Sequence, residues 1–205
     1  MAAKITEYLG AGLEPDRDAE PVVLLLHGYG ADEQDLADIM TFLPRHKRWI
    51  SPRAPLQTPQ GGFAWAPLST PGNPDPSEVA HATNRLWRFI DEVIGTDAPL
   101  LLIGFSQGGL MATQLLRTRP ERIAKTAILA GFVDDAPQPA DAWLAANRPS
   151  VLYCRGASDQ VISQDAVART EAWLATHASA QTQVYARLGH GIDDRVLADL
   201  AQFLR

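Results

Sequence analysis

The chain has 205 residues, enough to form one full hydrophobic core, so we expect a single domain over residues 1–205. Its composition, 46% hydrophobic and 20% charged, is typical of soluble globular proteins, and the formal net charge of -6 argues against nucleic acid as a partner. No apolar stretch approaches membrane-spanning length, and no signal peptide is evident. The single cysteine, Cys154, excludes an internal disulfide, so a cytoplasmic location is the default expectation.

Short apolar runs typical of buried strands alternate along the chain with segments whose apolar residues recur at helical spacing. In chain order we predict strands at residues 21–26, 48–51, 99–103, 125–129, 150–154 and 182–186. The predicted helices are residues 77–94, with Ser77 as candidate N-cap, then 106–117, 163–177 and 193–204. This alternation predicts an α/β fold, with a mainly parallel sheet and helices on both faces.

Two segments, residues 52–76 and 131–149, lack a regular pattern and are rich in proline, glycine or both. Loops of this length in a compact domain are usually functional or mobile. Neither segment is large enough to form a separate cap domain, so the sequence predicts a fairly open site.

The motif G-x-S-x-G stands at residues 104–108, between a predicted strand and a predicted helix. Such a turn is so sharp that Ser106 must adopt a strained backbone conformation, and the flanking glycines let neighbouring backbone pack closely. A serine hydroxyl is a poor nucleophile, so it needs a base within hydrogen-bond reach and an acid that orients the base. In sheets of this type the partners follow in the order serine, acid, histidine.

Two histidines follow Ser106 in the chain. His177 falls near the end of a predicted helix, where a surface role favoured by the helix dipole is expected. His190 lies between two glycines just after a predicted strand, at the end of the sheet where sites form in open α/β folds. We therefore interpret His190 as the base, with a structural loop histidine as the alternative.

Several acidic residues follow Ser106, and position in the predicted fold separates them. Asp159 comes just after the predicted strand 150–154 and is the candidate orienting acid, with an ordinary turn aspartate as the alternative. The others are expected to be solvated in the second irregular segment or to lie in the first turns of helices: Asp134, Asp135, Asp141, Asp165, Asp193 and Asp194.

A tetrahedral intermediate needs two N–H donors directed at its oxyanion. One candidate is the backbone of Gln107, directly after the serine, and the other is Tyr29, in the glycine-rich loop after the first predicted strand. His27 is then expected to hold that loop through hydrogen bonds.

The same loop could begin a dinucleotide fingerprint, but Glu33 occupies the third glycine position and would repel a pyrophosphate. No P-loop or HExxH motif occurs, so neither a nucleotide nor a metal is implied.

Taken together, these segments resemble the phospholipase/carboxylesterase family. The resemblance rests on residues 26–32, 52–55, 62–65, 104–109, 156–159 and 189–191 and runs over almost the whole chain. It implies the α/β-hydrolase fold, with Ser106, Asp159 and His190 as catalytic triad, the Tyr29 and Gln107 backbone as oxyanion hole, and no cofactor.

Two departures from the family pattern bear on specificity rather than mechanism. Tyr29 stands where leucine is common, and Arg155 stands where a histidine usually precedes the glycine. Five apolar residues of the irregular segments either line an acyl pocket or pin their loops to the core: Phe63, Trp65, Leu68, Phe132 and Trp143.

The predicted activity is hydrolysis of a small-molecule acyl ester or thioester by a serine hydrolase without integral membrane association. An amidase with the same triad and a binding module that has lost catalysis are the alternatives. The oligomeric state, a homodimer included, is left open by the sequence.

Overall fold

A seven-stranded sheet lies at the centre of the computed structural model, which describes residues 4–13, 20–43, 46, 48–68 and 72–205. The strands in chain order are β1 (Tyr8–Ala11), β2 (Val22–Leu26), β3 (Trp49–Pro52), β4 (Leu56–Gln57), β5 (Phe63–Ala64), β6 (Leu100–Phe105), β7 (Ile123–Leu129), β8 (Ser150–Gly156) and β9 (Ser179–Tyr185). The sheet order is β1-β3-β2-β6-β7-β8-β9, while β4 and β5 pair separately. All neighbours in the large sheet are parallel except β1 with β3, which confirms the predicted mainly parallel sheet.

Helices cover both faces of this sheet, as predicted. They are α1 (Pro76–Val93), α2 (Gln107–Thr118), α3 (Asp141–Asn147), α4 (Gln164–His177) and α5 (Asp194–Phe203), with short 3₁₀ helices at Ala37–Phe42 and Pro120–Arg122. Within the described part of the chain, no helix combines the length and apolarity that crossing a membrane requires.

Successive residues of the central strands point to opposite faces and enter different hydrophobic clusters. Leu24 of β2 packs in the cluster that contains Leu86 of α1, whereas its neighbour Leu25 packs with Leu200 of α5. Each fully buried leucine contributes roughly 1.5–3 kcal/mol relative to an exposed one. Because both faces are buried, these strands read as continuous apolar runs, and this made them recognisable in the sequence.

The predicted N-cap of the first long helix is wrong by two residues. Asp75 is the cap, and its Oδ1 accepts hydrogen bonds from the Ser77 backbone N–H at 2.8 Å and from the Ser77 hydroxyl at 2.6 Å. Pro76 occupies the first helical position, where its missing N–H costs nothing. The proline therefore starts the helix earlier than Ser77.

Three strands and one α-helix were absent from the prediction. β1 precedes the first predicted strand, β4 and β5 lie in the first irregular segment, and α3 lies in the second. Strand β1 is exposed along its whole length, so it carries no buried apolar pattern. The other three are short, with two residues in β4 and in β5 and seven in α3, and periodicity is weak over such lengths.

The expectation that the aspartates of the second irregular segment are solvated holds only for Asp135. Asp134 is 4% exposed, and burial raises the pKa of its carboxyl group. Asp141 begins α3 and accepts two hydrogen bonds from the Arg117 guanidinium at 2.8 Å. The segment folds back onto α2, and so it buries carboxylates that an open loop would expose.

Candidate active site

Ser106 lies at the turn between β6 and α2, in a backbone conformation that side chains rarely adopt. Its φ is 55° and its ψ is -116°. Glycine is required on both sides, because a Cβ at Gly104 would lie 2.1 Å from the Gly108 carbonyl oxygen. A Cβ at Gly108 would in turn lie 1.8 Å from the carbonyl oxygen of Leu26. This close packing lifts the Ser106 side chain above the carboxyl ends of β2 and β6.

The structure brings Ser106, His190 and Asp159 into one hydrogen-bonded line. The Nε2 atom of His190 lies 2.9 Å from the Ser106 Oγ, and its Nδ1 lies 2.8 Å from Asp159 Oδ2. The carboxylate oxygen accepts, so Nδ1–H donates to it and Nε2 accepts from the serine hydroxyl. The His190 and Asp159 side chains are 17% and 7% exposed, so solvent competes little for these bonds.

The loops that carry Asp159 and His190 are joined to each other. The Ser158 backbone N–H donates to the Leu188 carbonyl at 2.9 Å. A Cβ at Gly156 would lie 2.2 Å from that same carbonyl oxygen, so only glycine allows this approach. The ring of Phe105 packs against the His190 imidazole at 5.0 Å between centroids. The acid and the base are therefore positioned by one shared set of contacts.

Two backbone N–H groups near the serine have no acceptor in the described part of the protein. They belong to Gln107, the first residue of α2, and to Tyr29, in the loop after β2. A helix N-terminus offers such free donors together with a favourable dipole for negative charge. Gly28 lies next to Tyr29, and a Cβ there would come 3.4 Å from the Ser106 Cβ, so the loop borders the serine directly.

His27 has both ring nitrogens engaged in buried hydrogen bonds. Nε2 accepts from the Ala54 backbone N–H at 3.0 Å, so Nδ1 carries the proton and donates to the Gly28 carbonyl at 2.8 Å. That carbonyl belongs to the same peptide group as the Tyr29 N–H. Desolvation by burial lowers the pKa of His27, which favours this neutral form. The ring thus fixes the peptide plane that carries the Tyr29 donor.

The acidic residue at the third position of the nucleotide-like fingerprint has a structural partner. Glu33 is buried and pairs with the Arg53 guanidinium through two hydrogen bonds of 2.5 and 2.6 Å. These bonds lower the pKa of the Glu33 carboxyl group. Arg53 also lies over the Phe63 ring at 4.7 Å and pairs with Glu7. The Glu33–Arg53 pair thus joins the Tyr29 loop to the segment that follows β3, and Arg53 also contacts the first residue of β5.

The remaining acidic and histidine candidates lie at helix ends, as expected. Asp193 caps α5 by accepting from the N–H groups of Arg195 and Val196, and Asp194 is in the first turn of that helix. His177 ends α4, where its ring stacks on Trp173.

The five apolar candidates for substrate binding fall into three groups: two are buried, two are exposed and one is half-buried. Trp65 and Phe132 are 1% and 4% exposed and belong to core clusters, which fits the packing alternative. Leu68 and Trp143 are 44% and 46% exposed, the latter on α3. Phe63 is half-buried beneath Arg53.

Arg155, at the position where the family pattern has histidine, forms an ion pair with another element. Its guanidinium contacts Glu171 of α4 at 2.9 Å. This ion pair connects Arg155, near the end of β8, to α4; Asp159 follows four residues later in the chain.

The sequence reasoning missed the role of the Gln107 side chain, which bonds to the backbone of Trp65 and Ala66. No signal in the motif distinguishes this side chain, since the predicted oxyanion donor is the backbone N–H.

Known proteins share both the sequence pattern and the fold. The model of the phospholipase/carboxylesterase family matches residues 13–205. Esterase YpfH of Escherichia coli (strain K12) is 25% identical over 211 residues, covering 93% of this chain and 84% of the relative.

Solved structures of similar fold include two bacterial carboxylesterases. The enzyme from Mesorhizobium loti has a TM-score of 0.74 and 22% identity, covering 90% of this chain and 88% of its own. The enzyme from Bacillus cereus has a TM-score of 0.76 and 18% identity, covering 96% of this chain and 91% of its own. These likenesses confirm the α/β-hydrolase fold expected from the sequence.

Proposed function

Because the chain belongs to the phospholipase/carboxylesterase family, we propose that it is a serine hydrolase that cleaves carboxylic esters through an acyl-enzyme on Ser106. The observation that carries the proposal is the hydrogen-bonded line from Asp159 through His190 to Ser106, at 2.8 and 2.9 Å. The esterase and carboxylesterase relatives support the ester-cleaving class of reaction.

In the first half of the reaction Ser106 Oγ attacks the acyl carbon while His190 Nε2 takes its proton. Asp159 holds the imidazole in the tautomer that presents a free Nε2 and stabilises its charged form. His190 then returns the proton to the departing alcohol, and the acyl group stays on the serine. In the second half, water loses a proton to His190 and attacks the acyl-enzyme, and His190 returns that proton to Ser106 Oγ as the acid leaves.

The Tyr29 and Gln107 backbone N–H groups donate hydrogen bonds to the carbonyl oxygen and stabilise the negative charge that develops on it. Both donors lack protein acceptors among the described residues, and that of Gln107 belongs to the N-terminus of α2. Preorganised donors of this kind are among the largest contributions to acyl transfer, because they need no reorganisation at the moment of reaction.

The substrate proposed is a small acyl ester, and its acyl group contacts apolar side chains at the mouth of the site. Leu68 is 44% exposed and Tyr29 is half-buried, so both side chains have accessible surface that an acyl group can contact. Hydrolysis rates for esters with acyl chains of two to sixteen carbons show which chain length this surface accommodates best. A thioester and an anilide of the same acyl group, measured beside the oxygen ester, identify the leaving group that the site prefers.

Ser106→Ala tests the proposal. We expect the kcat for a p-nitrophenyl acyl ester to fall by about 10⁴-fold or more, because within the described residues the hydroxyl bonded to His190 Nε2 is that of Ser106. Ser150→Ala, an exposed serine at the start of β8, is the matched control.

Labelling by a fluorophosphonate probe gives the second readout. Stoichiometric labelling of wild type that is lost in Ser106→Ala supports the acyl-enzyme. A Ser106→Ala variant with near-wild-type kcat would exclude Ser106 as nucleophile, and a wild-type protein without label or turnover would indicate a binding module.

A further inference from the structure

The carboxamide of Gln107 bonds to backbone that lies outside its own helix. Its Oε1 accepts from the Trp65 N–H at 2.9 Å, and its Nε2 donates to the Ala66 carbonyl at 2.8 Å. Gln107 is 4% exposed, so both bonds are shielded from water. One side chain thereby satisfies two buried backbone groups that would otherwise be unpaired.

Trp65 extends this contact to the loop after β2. Its indole Nε1 donates to the His27 carbonyl at 2.9 Å, and its ring lies 5.2 Å from the His27 ring between centroids. Trp65 is 1% exposed, so the indole is held by packing as well as by hydrogen bonds. The His27 carbonyl belongs to the peptide group directly before the one that carries the Tyr29 N–H.

The contacts therefore run from the residue after Ser106, through Trp65, to the loop that carries Tyr29. We infer that the Gln107 carboxamide and the Trp65 indole form a brace that sets the spacing of the Tyr29 and Gln107 N–H groups. The inference rests on the proposed function, because it assigns Gln107 and Trp65 as positioning residues for the oxyanion donors. Hydrogen bonds to an oxyanion depend steeply on distance, so a loosened loop weakens the bond from Tyr29.

The test uses the fact that the backbone N–H of Gln107 survives any change of its side chain. Gln107→Met keeps the side-chain length but removes both bonds of the brace. We expect kcat for a p-nitrophenyl ester to fall about 10- to 100-fold with little change in KM, less than the loss of a whole donor. The affinity for an alkyl trifluoromethyl ketone, which forms a tetrahedral adduct on the serine, should fall in parallel.

Gln114→Met is the matched control on the same helix. Gln114 is 1% exposed and lies seven residues further along α2, and its Nε2 has no hydrogen-bond partner in the described structure. Rates are expressed per active site, counted by fluorophosphonate labelling at completion, so a variant that merely folds less well keeps its kcat. We expect Gln114→Met to retain wild-type kcat and ketone affinity.

Trp65→Phe is the second variant, since it keeps an aromatic ring and the backbone N–H that bonds to Gln107 but removes the indole N–H that bonds to His27. Its kcat per active site should fall about 5- to 10-fold. Wild-type kcat and ketone affinity in either Gln107→Met or Trp65→Phe would overturn the brace. Wild-type protein without Ser106-dependent turnover would instead overturn the proposed function itself, so the two failures are distinct.

Discussion

The two carboxylate oxygens of Asp159 accept hydrogen bonds from different parts of the protein. Oδ2 faces His190 Nδ1, whereas Oδ1 accepts from the backbone N–H groups of Val161 and Ile162 at 2.8 and 3.2 Å. The turn after β8 therefore holds one oxygen in place while the other addresses the imidazole. This arrangement separates Asp159 from an ordinary turn aspartate, whose side chain serves its own backbone alone.

Replacing Asp159 by asparagine tests this role. The amide N–H₂ that this change introduces would donate to Nδ1 and place the imidazole proton on Nε2, which then cannot accept from Ser106. We expect Asp159→Asn to lower kcat by about 10³- to 10⁴-fold in a p-nitrophenyl ester assay. Asp194→Asn, in the first turn of α5, is the control and should keep wild-type kcat. The opposite pattern would move the orienting acid to Asp194.

His27 gives a residue-scale prediction about pH. Its folded pKa lies below the ordinary value of 6.5, so the unfolded chain binds the proton more readily. The contribution of the neutral His27 to the free energy of unfolding is therefore fully present above about pH 6.5. It is lost as the pH falls from there through the folded pKa. We expect urea midpoints measured between pH 7.5 and 5 to fall less steeply in His27→Gln than in wild type.

The control for that comparison is His81→Gln, which removes an imidazole from an exposed position of α1. Equal slopes in wild type and His27→Gln would contradict the assignment of His27 as a buried neutral group.

Among the elements, the turn from β6 to α2 carries the tightest packing around the site. A Cβ at Gly108 would meet backbone oxygens of both Leu26, at 1.8 Å, and His27, at 2.7 Å. Neither backbone atom can rotate away as a side chain would. The end of β2 and the start of α2 are therefore in contact at Gly108, where no side chain larger than a hydrogen atom fits.

Gly108→Ala should accordingly destabilise the protein by about 1–3 kcal/mol, despite the better helix propensity of alanine. Thermal or urea unfolding measures this change. Gly191→Ala is the control, because nothing lies within 4 Å of a Cβ at that position and its backbone is not left-handed. A Gly108→Ala variant as stable as wild type would show that this packing relaxes at little cost.

The strands and helices differ in how far the sequence could predict them. Strands β2 and β6 were recognised because burial on two faces makes them almost entirely apolar, and β7 and β8 because each contains a buried apolar run. Strand β9 begins three residues before the predicted strand, since its exposed polar start resembles a loop. Helix α3 was missed because it has seven residues and its contacts, with α4 and through the Arg117–Asp141 ion pair, come from distant parts of the chain.

At the scale of the whole molecule, the parallel sheet assembles the site from distant parts of the chain. The loops after β2, β6, β8 and β9 meet at the carboxyl edge of the sheet, because parallel strands all end on the same side. Residues 84 positions apart, Ser106 and His190, thus come within 2.9 Å of each other. A chain-length profile of ester hydrolysis tests the prediction that the site at this edge is fairly open.

The sequence by itself determined the sheet class, the order of the candidate catalytic residues and the need for glycine around Ser106. These follow from periodicity, from chain order and from backbone geometry, all of which are local. The folded structure was needed to establish that Asp134 is buried, that Asp141 pairs with Arg117, that Trp65 lies in the core, and that the Gln107 carboxamide joins two distant segments. Such contacts depend on which surfaces the folded chain brings together, and no local pattern encodes them.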